Sequence, residues 1–358
     1  MAVRLRDVAA RAGVSVKTVS NVVNGYVHVS PPTRARVEAA VAELGYRPNL
    51  SARSLRGGRS GIIAIAVPEL GVPYFAELVQ CVVKAASARG FTVLIDQTDA
   101  VPDRERLVLE GIRQHLIDGV IFNPLALGPR ELAHRRDRTP MVLIGERGGG
   151  GLADHVAIDN TAASCEVVAH LAGQGRRRIA AIGRQRTVRG ETAHVRLTGY
   201  RRGLEQAGLA YDPALVGAAP AFHREDGARA MARLLDQPVP PDAVFAFNDL
   251  LALGALRVCY ERGVRVPDDV AIVGFDDIDD GRYSVPSLST VSPDKEQIAQ
   301  AAVEFLVSRL GGDASSPARQ VVARHRLVIR ESSAGQPAIR GRPARAVTRG
   351  HPARAATR

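Results

Sequence analysis

Tryptophan is absent from the 358 residues, and aromatic side chains make up only 4% of them. The strongest stacking platform for a sugar ring or a base is therefore missing, which leaves Tyr and Phe to supply aromatic faces. Cysteine is scarce as well: Cys81, Cys165 and Cys259 are odd in number, widely spaced and without a CxxC pair. That pattern excludes a disulfide framework and a zinc site, so the three thiols read as small core hydrophobes. No run approaches the roughly 18 to 20 uninterrupted apolar residues of a membrane span, and Met1 to Gly13 lacks the apolar centre of an export signal. A cytoplasmic chain without membrane contact is expected. Acid is missing from residues 332 to 358, which hold six Arg and neither Asp nor Glu.

What is present is unevenly placed. Residues 1 to 60 carry ten Lys and Arg against three Asp and Glu, whereas residues 61 to 331 hold 32 basic and 34 acidic side chains. The net charge of +11 thus resides at the two ends. A basic head on a nearly neutral body suggests a polyanion partner. Residues 332 to 358, rich in Arg, Ala, Gly and Pro, are expected to form a disordered tail.

In the head, Leu5, Val8, Ala9 and Ala12 recur at helical spacing and Gly13 ends that pattern. Ser15 is placed to cap a second helix over Val16 to Asn24, closed by Gly25. Ser30 and Pro31 announce a third, which carries Val37, Ala40, Val41 and Leu44 on one face and stops at Gly45. Two short helices around a tight Gly-containing turn make a helix-turn-helix. On the second helix, Val16, Lys17, Ser20, Asn21 and Asn24 share an arc of about 140°, with Val19, Val22 and Val23 opposite. One face packs on the head and the other suits base edges and phosphates.

From Gly61 onward, apolar runs alternate with helical patterns. Expected strands are Ile62 to Val67, Phe91 to Asp96, Gly119 to Phe122 and Met141 to Ile144, with helices over Phe75 to Ala88 and Asp103 to Leu116. A second series has strands at Ile179 to Ile182, Ala243 to Phe247 and Val270 to Gly274. The alternation implies an α/β body of two lobes, each a parallel sheet flanked by helices, with ligand expected at the carboxyl ends of the strands in a cleft between lobes. No internal sequence repeat is evident.

After the head comes Tyr46-Arg47-Pro48-Asn49-Leu50-Ser51-Ala52-Arg53-Ser54-Leu55-Arg56, a helix-compatible segment too short to be stable alone. Together with Leu5-Arg6-Asp7-Val8-Ala9, Gly13-Val14-Ser15, Thr18-Val19-Ser20 and Val23-Asn24-Gly25, it resembles the LacI/GalR family of bacterial regulators, over residues 4 to about 331. The resemblance implies a helix-turn-helix domain over 1–47, a hinge helix and linker over 48–60 and a periplasmic-binding-protein-like, effector-binding and dimerising body over 61–331. It further implies that Val16, Lys17 and Asn21 read bases, that Thr18 and Ser20 support backbone contacts, and that Asn49 lies in the hinge. Leu55 would be an apolar wedge in the minor groove, with Ala52 and Arg53 beside it.

In the body, Tyr74 and Phe75 follow the first strand. Arg196, Phe222, Asn248 and Asp276 lie in segments that match the family's effector-site positions. A guanidinium, an amide and a carboxylate together satisfy the donors and acceptors of a neutral polyol or the edge of a nucleobase, so a sugar inducer and a purine corepressor both remain open. The partners implied are double-stranded operator DNA, a small-molecule effector and a second copy of the chain, with a tetramer as a further option. No cofactor or metal is expected. The cluster Asp276, Asp277, Asp279 and Asp280 has no His or Cys at ligand spacing, and neither GxSxG nor GxxxxGK[ST] occurs, so catalysis lacks its usual signatures. A solute-binding protein of a transporter would share the two-lobed body but not the first 60 residues.

Overall fold

The computed structural model describes residues 3–23, 26, 28–46, 59–111, 116–148, 150–185, 191–313 and 316–334. The head contains α1 (Leu5–Ala12), α2 (Val16–Val23) and α3 (Pro31–Leu44). Gly13 and Gly45, at φ 62° and 61°, close α1 and α3 in the left-handed conformation that glycine adopts without a Cβ penalty. The Ser15 hydroxyl accepts from Thr18 N–H at 3.1 Å, as a capping serine should. Ser30 stands at the N-cap of α3, but its hydroxyl donates to Thr33 Oγ1 rather than capping an amide. The head core is Val8, Ala9, Ala12, Val19, Val22, Val37 and Ala40.

Among the described residues, twelve strands follow: β1 (Ile62–Val67), β2 (Thr92–Gln97), β3 (Gly119–Phe122), β4 (Met141–Ile144), β5 (Asp154–Ile158), β6 (Ile179–Arg184), β7 (Val216–Ala218), β8 (Ala243–Ala246), β9 (Ala271–Phe275), β10 (Ser289–Pro293), β11 (Gln320–Ala323) and β12 (His325–Val328). They form two six-stranded sheets, ordered β11-β5-β4-β3-β1-β2 and β12-β10-β9-β8-β6-β7. Each sheet repeats the same strand order, an architectural repeat that leaves no trace in the sequence. Pairings β1–β2, β1–β3, β3–β4 and β4–β5 in the first sheet, and β6–β7, β6–β8, β8–β9 and β9–β10 in the second, are parallel. β12 pairs antiparallel with β10.

The chain divides into two compact units, Met1–Ala157 with Lys295–Val322, and Ile158–Asp294 with Ala323 onward. It passes from one to the other three times. In the first unit, helices Pro73–Ser87, Pro102–Leu109 and Lys295–Leu310 accompany the sheet; in the second, Asn160–Gly173, Glu191–Gln206, Arg224–Leu235 and Asp249–Glu261 do so. The core of the second unit is built on β6, β8 and β9, all but wholly buried.

Several expectations change: the helix expected over Phe75 to Ala88 is Pro73–Ser87, β6 runs on to Arg184, β8 stops at Ala246, and β9 is Ala271–Phe275 where Val270 to Gly274 was expected. The helix expected over Asp103 to Leu116 is described only as Pro102–Leu109, and residues 112–115 lie outside the described residues. The edge strand begins at Thr92 and runs to Gln97 rather than from Phe91 to Asp96. The expected tail does not begin at 332: Glu331–Ala334 form a helical turn in which Ser332 and Ser333 are buried. Ser332 Oγ donates to Ile272 O at 2.6 Å, and Ser333 Oγ donates to Ser289 Oγ at 2.8 Å. Small hydroxyls that replace their water by protein acceptors are easily mistaken for a solvated end. Residues 335–358 lie outside the described residues.

Candidate functional site

On the head, α2 buries Val19 and Val22 and turns Val16 and Lys17 to solvent, while Thr18, Ser20 and Asn21 are half-buried. Val16 is 40% exposed. The N-terminal turn of α2 thus carries the free side chains, the arrangement a helix needs to enter a major groove. Asn24, Asn49, Ala52, Arg53 and Leu55 lie outside the described residues.

In the second unit, the parallel strands bring several of the expected ligand residues to their carboxyl ends. Asn248 follows β8 and caps the helix Asp249–Glu261: its Oδ1 accepts from Leu251 N–H at 2.9 Å, and its Nδ2 donates to Phe222 O at 3.0 Å. Phe222 is half-buried at φ 60°. Asp276, one residue beyond β9, is buried at φ 114°. Arg196 reaches in from the helix Glu191–Gln206, with 7% of its side chain exposed. Its Nη2 lies 3.7 Å from Asp276 Oδ1, its Nε donates to Asn160 Oδ1 at 2.8 Å, and its Nη1 donates to Phe247 O. The guanidinium carbon stands 3.5 Å from the centroid of the Phe275 ring. A buried cation is tolerable only when so enclosed, by a carboxylate, two oxygen acceptors and an aromatic face.

Asn160 and Phe275 were not singled out by their residue types. Phe275 lies beside Asp276 in a motif already marked, whereas Asn160 is 36 residues from Arg196 and carries no local signal. The acidic cluster is dispersed into separate ion pairs: Asp277 with Arg330 at 2.6 Å and Arg282 at 3.4 Å, and Asp280 with Arg224 at 3.0 Å. Burial alone would raise the Asp277 carboxyl, but hydrogen bonds led by that from Arg330 outweigh it and hold it below the usual range. Among the described residues, no group of three His, Cys, Asp or Glu is arranged to hold a metal. No described helix is long and apolar enough to cross a membrane.

In the first unit, Tyr74 and Phe75 occupy the first turn of the helix after β1, half-buried, with ring centroids 5.3 Å apart in an edge-to-face contact. Lys295 pairs with Glu77 at 2.5 Å and lies 5.8 Å from the Tyr74 ring. Asn123, immediately after β3, is 5% exposed, and its Oδ1 is buried without a hydrogen-bond partner. Gly145, at φ 91°, leaves room for it: a Cβ there would stand 3.1 Å from Asn123 Nδ2.

Residues 4–49 match the model of bacterial regulatory proteins of the lacI family, and residues 168–333 that of a periplasmic binding protein-like domain. The HTH-type transcriptional regulator CelR of Thermobifida fusca is 38% identical over 345 residues, covering 92% of this chain and 97% of its own. The chain belongs to the LacI family. It is a DNA-binding transcriptional regulator with an effector-binding domain, as the resemblance implied. A solved transcriptional regulator CelR–cellobiose complex is 35% identical with a TM-score of 0.68, covering 92% of this chain and all of that one. The lac repressor dimer bound to operator and the anti-inducer ONPF is 27% identical with a TM-score of 0.81, covering 93% and 99%.

Proposed function

We propose that this LacI-family protein is a repressor that binds a pseudo-palindromic operator as a homodimer and responds to a sugar held by Arg196, Asn248 and Asp276. The observation that carries this is the buried Arg196–Asp276 pair at the strand ends of the second unit, with the Arg196 guanidinium over the Phe275 ring. A guanidinium and a carboxylate side by side offer donors and acceptors that match the hydroxyls of a sugar. That a CelR regulator was solved with cellobiose favours the same ligand class here. Phe222 supplies a further apolar contact in the same unit, and the family resemblance adds Tyr74 and Phe75 to the effector-binding residues.

On DNA, Val16, Lys17 and Asn21 read base edges and Thr18 and Ser20 support backbone contacts. Asn49, Ala52, Arg53 and Leu55 belong to the hinge, with Leu55 the minor-groove wedge. One head reads one half-site, so two copies are needed for a palindrome. Tyr260, Tyr283 and Val285 are 77%, 80% and 91% exposed, apolar area that a second copy would cover.

The test is operator affinity of the full chain, measured with and without cellobiose and with and without adenosine. Cellobiose is expected to lower affinity about tenfold or more, within the usual range of coupling between sites. Arg196→Ala and Asp276→Ala are expected to abolish that response in proteins that still bind operator. Full response in both variants would overturn the assignment, and an increase of affinity with adenosine alone would select purine corepression instead.

A further inference from the structure

Asp276 and Asp277 are non-glycine residues at φ 114° and 48°, conformations that an L side chain adopts only when its surroundings impose them. The backbone N–H groups of three consecutive residues show what does so. Asp276 N–H donates to Val291 O at 2.8 Å, Asp277 N–H to Thr290 Oγ1 at 3.3 Å, and Ile278 N–H to Asp249 Oδ2 at 2.9 Å. Thr290 and Asp249 are joined to each other, the hydroxyl donating to Oδ1 at 2.6 Å. Both side chains are wholly buried. The surrounding backbone is cut to fit them: a Cβ on Gly274 would stand 2.1 Å from Asp249 Oδ1.

We infer that Asp249, joined to Thr290, is a positioning residue of the ligand site, bracketing the Asp276–Ile278 turn so that the Asp276 carboxylate is aimed at Arg196. This rests on the assignment of Arg196 and Asp276 to the ligand. Asp249 itself touches no ligand group; it acts through the turn. Burial, reinforced by the neighbouring Asp276, pushes its carboxyl well above the usual range. The bracket can be imitated by an amide. In Asp249→Asn the amide oxygen still accepts from Ile278 N–H, and the amide NH2 donates to Thr290 Oγ1, whose own hydrogen turns to Val291 O, 3.3 Å away. In Asp249→Leu the volume is kept but the Ile278 N–H is buried without an acceptor.

The experiment uses the full chain with Asp249→Asn, Asp249→Leu, Thr290→Val and Asp276→Asn, and reads amide hydrogen exchange at Asp277 and Ile278 beside cellobiose affinity by calorimetry. Asp249→Leu is expected to speed exchange at these two amides about tenfold or more, the equivalent of one buried N–H losing its partner. Asp249→Asn should restore wild-type exchange. Cellobiose affinity should fall with Asp249→Leu as it does with Asp276→Asn, and recover with Asp249→Asn. Wild-type exchange in Asp249→Leu, or an Asn variant as damaged as the Leu variant, would overturn the proposal. Should Asp249→Leu not fold, Thr290→Val carries the test, because it removes both the acceptor of Asp277 N–H and the hydroxyl joined to Asp249; unchanged exchange at Asp277 is then the overturning result. If wild type takes up no cellobiose, the ligand assignment fails while the exchange measurement still decides the bracket.

Discussion

The two units share a strand order, and each holds a fully buried carboxyl behind a loop at the carboxyl end of its sheet, yet the two carboxyls are satisfied in opposite ways. In the first, Glu105 accepts from the N–H groups of Leu125, Ala126 and Leu127 at 2.9 to 3.0 Å, so both oxygens face donors of the loop after β3. In the second, Asp249 receives a single backbone N–H and one hydroxyl, with Asp276 close by to oppose its ionisation. One topology therefore accommodates a buried carboxyl in a nest of backbone amides and another in a bracket of one amide and one hydroxyl. Both are equally buried and differ in the donors that face them, three backbone N–H groups in one and a single N–H with a hydroxyl in the other.

The widest separation between the units is expected at Asp154, on β5 of the first. Its side chain is fully buried, with Arg309 and Arg319 each 2.7 Å from a carboxylate oxygen. Burial pushes this carboxyl up, but hydrogen bonds from Arg309 and Arg319 outweigh it and hold it far below the usual range. Asp154→Leu should cost about 3 to 5 kcal/mol in urea unfolding at neutral pH, since it strands a nearly buried Arg309. For a depressed carboxyl, the stabilisation is present above the unfolded value of about 3.9 and is lost as pH falls through the folded one. The difference between wild type and variant should therefore narrow only on strong acidification. A constant difference across that range would show that packing, rather than charge, accounts for the loss.

The comparison sharpens with one isosteric change made in each unit. Glu105→Gln turns an NH2 group towards backbone N–H donors and should destabilise by about 1 to 3 kcal/mol, read from the same unfolding curves. Asp249→Asn should instead raise the melting temperature at neutral pH. A raised carboxyl contributes stability that is fully present below about 3.9 and lost as pH rises through its folded value, a loss that the amide avoids. The gain should vanish as pH is lowered towards 4. Equal and opposite behaviour of the two amides is the outcome to look for, and a loss in both would erase the distinction drawn between nest and bracket.

The same two ways of burying polar groups explain what the sequence made legible. β1, β3 and β4 have the expected bounds because every residue in them is buried and apolar, a pattern that needs no tertiary knowledge. β5 and β10 were not foreseen, because Asp154 and His155 in one and Ser289, Thr290 and Ser292 in the other look like loop. Their polar atoms are satisfied by residues far along the chain, Asp154 by Arg309 and Arg319, Ser289 by Arg330 and Ser332. The family motifs led to Arg196, Asn248 and Asp276, but not to the Asn160 oxygen that holds Arg196 or to the bracket behind Asp276. Side chains that act through others carry no spacing of their own.

The threefold passage of the chain between the units bears on how such regulators can be recombined. Neither unit is one continuous stretch of the chain, and β11 ends only one residue, Arg324, before β12 begins. A chimera cut at a single point after Ala157 would deprive the first sheet of its edge strand β11 and of the helix Lys295–Leu310. Grafting the second unit of one family member onto the first unit of another therefore requires three matched junctions, near 157, 294 and 322, and a library with a single crossover inside the body should return mostly unfolded protein.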